Sequence, residues 1–145
     1  MKVLRLVGFV FMTVLFVGCN PLAEKEKEYD ALLKQVIDGH DMVMPKMGDI
    51  NSLMIAIKVE EKKGTIANNE KFTLATEKLA KAYKAMMDWM KDFGDNFDLS
   101  IDERAANEEE LLKKIALLKE EVLKVEVLKE QINSSILNAN TVLGK

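Results

Sequence analysis

Cysteine, proline, histidine and tryptophan are nearly missing from this chain. One cysteine (Cys19), two prolines, one histidine (His40) and one tryptophan (Trp89) stand among 145 residues. A lone cysteine cannot close an internal disulfide. Two prolines and seven glycines are few breakers, so little interrupts long helices. One histidine and few serines leave no visible nucleophile–base pair, and no glycine loop is spaced to cradle phosphate. The chain therefore reads as a non-enzyme. An excess of positive charge is also missing: 21 basic against 24 acidic residues give −3. Nucleic acid asks for a basic face and is excluded as a partner. Nor is there an unbroken apolar run of about 20 residues, the length that spans a bilayer as a helix.

What is present begins with an address. Lys2 and Arg5 precede an apolar run from Leu6 to Val17, interrupted by Gly8 and Thr13. A run this short after two cations predicts a secretion signal over residues 1–18. Phe16-Val17-Gly18-Cys19 then resembles the lipobox of bacterial lipoproteins, with Phe16 where leucine is usual. That resemblance implies cleavage before Cys19 and a diacylglyceryl group on its sulfur, so the partner is a membrane, reached through a lipid anchor. Each buried methylene adds about 0.8 kcal/mol, and stable anchoring takes more than one chain. The lipoproteins it resembles carry two or three. Asn20 stands where aspartate often retains lipoproteins in the inner membrane, so the outer membrane of the envelope is the expected residence. Without Lys2 and Arg5 the remaining 19 basic and 24 acidic residues leave about −5. Residues 19–28, with Pro21 near their start, read as a tether. The Glu24–Glu28 Glu/Lys run within it reads as a solvated first helical turn, with an export signal to the cell surface as the alternative.

The rest reads as an all-α domain over 29–145. Abundant Ala, Lys, Glu, Leu and Met is the composition of helices. Tyr29, Leu33, Val36, His40, Val43, Met47, Ile50, Met54 and Ile57 are spaced four and three in alternation, with Leu32, Ile37, Met44 and Leu53 widening the stripe. That is the seam of a bundle or coiled-coil helix. Pro45 falls inside it, and because the spacing continues through, the expectation is one kinked helix ending at Lys62-Lys63-Gly64. A second helix capped by Asn68 or Asn69 carries Phe72, Thr76, Leu79, Tyr83, Met86, Met90 and Phe93, and breaks at Gly94-Asp95-Asn96. A capping box at Ser100 and Glu103 predicts a third helix from near Ile101. Its stripe is Leu111, Ile115, Leu118, Val122, Val125, Ile132 and Ile136, with Leu128 replacing Lys129. Connections of this length make neighbours antiparallel. The predicted fold is an elongated antiparallel three-helix bundle.

Two clusters suggest ligands. His40, Met44 and Met47 share one helix face, and Met86, Met87 and Met90 lie opposite when the first two helices fold back on each other. Imidazole and thioethers suit Cu(I), a soft ion. The competing reading is packing, since methionine fills irregular gaps and most of these residues fall on core stripes. A groove for an apolar ligand or peptide is the third. Asp92, Asp95, Asn96, Asp98 and Asp102 form an acidic group without EF-hand spacing, which turn formation and capping explain without calcium.

The segment His40–Gly48, with Met87-Asp88-Trp89-Met90, resembles a group of small helical lipoproteins of Bacteroidota. Their automatic label is often "viral A-type inclusion protein". The resemblance covers the anchor and the first two helices, and it implies fold and address without implying an activity. An envelope lipoprotein with a structural or partner-binding bundle is the leading expectation, with an envelope protein as the partner. Cu(I) binding or buffering is the alternative.

Overall fold

A computed structural model describes residues 21–63, 69–97 and 105–145. Four helices make it up: α1 (Pro21–Val43), α2 (Lys46–Lys62), α3 (Asn69–Asn96) and α4 (Glu108–Val142). There is no strand among the described residues. The chain is an all-α helical bundle, as its heptads predict.

α1 opens at Pro21, a residue tolerated in a first turn because its missing N–H would have no partner there. The Glu/Lys run is therefore helical, so helix covers residues 21–28 of the expected tether. Residues 19 and 20 lie outside the described residues. The single kinked helix is corrected to two segments. Pro45 has no N–H to give Asp41, so the ladder stops at Met44 N–H to His40 O (2.9 Å) and restarts with a tight Met47 N–H to Met44 O bond (3.1 Å). Pro45 keeps helical angles (φ −59°, ψ −29°), so the seam stays in phase across the break. Val36, Val43, Met47, Ile50 and Ile57 are all buried. α2 ends at Lys62, with the Lys63 N–H bonding back to Glu60 and Glu61, near the expected stop. Gly64 and Asn68 lie outside the described residues.

α1, α2 and α4 run in the same direction. Lys119 pairs with Glu28 (2.7 Å), Gly39 lies against Val125, and Lys46 Nζ donates to Asn133 Oδ1 (2.5 Å). Residue numbers rise together on both sides of that contact. α3 returns antiparallel, giving an up–down–up bundle in which α1 packs on α4, α3 packs on α4, and α2 touches both α3 and α4. The closest approach is at Gly39. A Cβ there would sit 2.7 Å from Val125 Cγ1, so only glycine admits α4 at this distance.

Two seams differ in phase from expectation. In α3 the buried line is Phe72, Ala75, Leu79, Ala82, Met86, Trp89 and Phe93. Thr76 and Met90 are only half-buried and Tyr83 is exposed. Small alanines let the neighbouring helices close in, while Tyr83 stays at the surface. α3 also runs through Gly94 and Asp95 to Asn96, past the expected break. In α4 the seam takes Glu121, Leu128 and Ser135. Leu128 replaces Lys129 as expected. α4 begins at Glu108 rather than near Ile101, and its cap is reciprocal. Asn107 Oδ1 accepts from the Glu110 N–H (3.0 Å), and the Glu110 carboxylate accepts from the Ala106 N–H (2.8 Å). Ser100 and Glu103 lie outside the described residues.

Candidate functional site

α1 leans on α4, and its backbone stands off from α3. The space left between α1 and α3 is a groove of about 370 Å³ lined by Ile37 and His40 from α1 and by Trp89, Met90, Phe93, Gly94 and Phe97 from α3 and its end. Ligand pockets typically start near about 300 Å³.

One wall is an aromatic column. Trp89, Phe93 and Phe97 stand four residues apart, so helical geometry places their rings one above another. Trp89 and Phe93 stack with centroids 5.2 Å apart, and Phe93 and Phe97 at 4.9 Å. A Phe97 N–H to Phe93 O bond (2.8 Å) holds the last ring in helical position beyond the end of α3. The His40 ring of α1 lies 5.9 Å from the Trp89 ring, tilted by 33°. Such offset aromatic contacts are worth about 0.5–1.5 kcal/mol beyond the area they bury. Gly94 is exposed at the mouth, and a Cβ there would meet nothing within 4 Å.

Trp89 is fixed by its polar edge. Its Nε1–H donates to Glu121 Oε2 (2.8 Å) in the buried α3–α4 seam. The other oxygen, Oε1, accepts from Lys124 Nζ (2.7 Å). Both carboxylate oxygens thus have partners, which a buried acid requires. The hydrogen bond to Glu121 holds the Lys124 ammonium protonated above its ordinary range. The indole therefore turns one edge to α4 and lends a face to the groove. The sequence reading missed this acid, although a seam phase through Leu118, Glu121, Val125 and Leu128 was available as its signal.

The copper candidates separate. Met47 and Met86 are buried in the hydrophobic core, Met87 and Met90 pack half-buried against it, and Met44 is exposed. Of the six, His40 and Met90 line the groove together. His40 Nδ1 lies 2.8 Å from Asp41 Oδ1, and its side chain is a quarter exposed. Of the acidic group, Asp95 pairs with Lys91 (2.8 Å) and Asn96 Nδ2 donates to Asp92 O (2.7 Å), so these residues serve α3 itself. Asp98 and Asp102 lie outside the described residues, as do residues 1–18 and Cys19. No helix among the described residues is long and apolar enough to cross a membrane.

Comparison of the chain with protein-family models, with curated proteins and with solved structures finds no match.

Proposed function

We propose that the chain is an envelope lipoprotein, acylated on Cys19 and resident in the outer membrane, whose bundle binds a protein partner through the groove between α1 and α3. The observation that carries the binding half is the aromatic column of Trp89, Phe93 and Phe97 lining an open groove. The three rings are themselves buried, and a concave site lined by apolar and aromatic side chains is the usual form of a binding pocket, with aromatic residues dominating its energetics. The anchoring half rests on the lipobox, Phe16-Val17-Gly18-Cys19.

The test uses full-length chain recovered from solubilised envelope. Gly94→Leu fills the groove mouth from a position with open space around it and favours helix, so the fold is kept. The wild type is expected to bring down one stoichiometric partner that Gly94→Leu does not. Recovery of no partner across several growth conditions, or equal recovery by both chains, sinks the binding half. An unmodified Cys19 thiol in the mass spectrum of the native protein sinks the anchor.

Cu(I) binding is the second reading, favoured by His40 and Met90 lining one groove. With Asp41 holding Nδ1–H, the Nε2 lone pair is the ligand nitrogen. Met44, Met87 and Met90 are the thioethers nearest solvent, while Met47 and Met86 would have to leave the core. Titration with Cu(I) against a competing chelator decides it. Equal affinity in a His40→Ala, Met44→Leu variant ends the copper reading.

A further inference from the structure

We propose that the outward face of α4 is a self-association surface, on which a second copy of this chain docks with its own α4 antiparallel. α4 turns its inner face to α1, α2 and α3 and leaves Leu123, Val127 and Leu137 at 68%, 63% and 67% exposure. At 3.6 residues per turn, Val127 and Leu137 each point within about 40° of Leu123. They form a stripe, whereas scattered apolar residues need no explanation.

The stripe is complementary to its own reversal. Leu112, Ala116, Lys119, Glu130 and Ser134 fall within the same arc of α4. A two-fold axis near residue 125 sets Leu112 against Leu137 of the second copy and Leu123 against Val127, all exposed apolar side chains. The same axis brings Lys119 opposite Glu130 and the small Ala116 opposite Ser134, which lets the helices approach. Every pair forms twice, as an isologous contact requires, and all four agree on the axis to within one residue. Parallel pairing would place Lys119 on Lys119 and Glu130 on Glu130, so charge selects the antiparallel arrangement. Lys119 already donates to Glu28 within its own chain, yet it remains 58% exposed, and an ammonium has three hydrogens to give.

Sedimentation equilibrium of the full chain in density-matched detergent tests the arrangement. The wild type is expected at twice the chain mass. Lys119→Glu and Glu130→Lys each set like charges together at both ends and are expected to weaken the dimer about tenfold or more. Mixing the two variants pairs Glu with Lys at both ends, so the mixture is expected to regain wild-type affinity, as is the double variant. Leu123→Ser removes an exposed side chain without changing charge and is expected to weaken the dimer with the helical content unchanged. A monomeric wild type, single variants that dimerise normally, or a mixture that fails to recover each overturns the proposal.

Discussion

Replacing Gly39 with alanine sets two effects of opposite sign against each other. Gly39 lies inside α1, where alanine favours helix by about 1 kcal/mol. The new methyl would stand 2.7 Å from Val125 Cγ1 and 3.3 Å from Cγ2, whereas ordinary contact begins near 3.4 Å. Val125 is fully buried and branched at Cβ, so it has no free rotamer to take. α1 and α4 must therefore part, along the contact that carries most of the packing of α1. Overpacking of this kind costs about 1–3 kcal/mol. The clash exceeds the propensity gain, and the expected net loss is about 1 kcal/mol, a fall of several degrees in melting temperature. Urea unfolding followed by circular dichroism reads it directly. Val125→Ala alone is expected to cost about 2 kcal/mol by opening a cavity. In the double variant the methyl added at position 39 enters that space, so the two costs should not add, with a coupling of about 1 kcal/mol or more. A Gly39→Ala chain more stable than wild type, with an additive cycle, would refute the close approach of α1 and α4.

Two further outcomes follow from the polar contacts. Glu28 accepts from Lys119 and Lys25, which lowers its carboxyl from the ordinary 4.5 to about 2. Its contribution to stability is then present above pH 4.5 and lost as pH falls toward 2, and NMR titration of the Glu28 carboxyl should show that low midpoint. Lys119→Met should raise it, and an ordinary midpoint in the wild type would remove the bridge between α1 and α4. Glu121→Ala leaves the buried Trp89 N–H without an acceptor and should cost about 1–3 kcal/mol. Because Trp89 is the single tryptophan, its emission should change as well. Wild-type stability with unchanged emission would mean that the indole bonds elsewhere.

The seam of α1 and α2 was legible because Val36, Val43, Met47, Ile50 and Ile57 repeat in one phase that no second pattern rivals. α3 offered two phases from Phe72, one through Thr76, Tyr83 and Met90 and one through Ala75, Ala82 and Trp89. Hydrophobic weight chose the first, and packing chose the second, because alanines decide how near helices come rather than how much each buries. Glu121 was hidden for a related reason. A carboxylate in a seam looks like a surface residue until the indole that satisfies it is placed across from it, 32 residues away in the chain. Pro45 was visible, and the continuing spacing concealed that the backbone ladder stops there. Reading His40 and Met90 as near neighbours across the first two helices required only an antiparallel return. The aromatic column is equally legible in the four-residue spacing of Trp89, Phe93 and Phe97.

The common direction of α1 and α4 governs how a lipid-held pair would sit. Gly39 is level with Val125, so in a two-fold pair centred near residue 125 the two Pro21 ends stand roughly 50 Å apart at 1.5 Å per residue. Two tethers so far apart enter one leaflet together only with both rods lying along it. Stood upright, the same pair would reach from one bilayer surface to another.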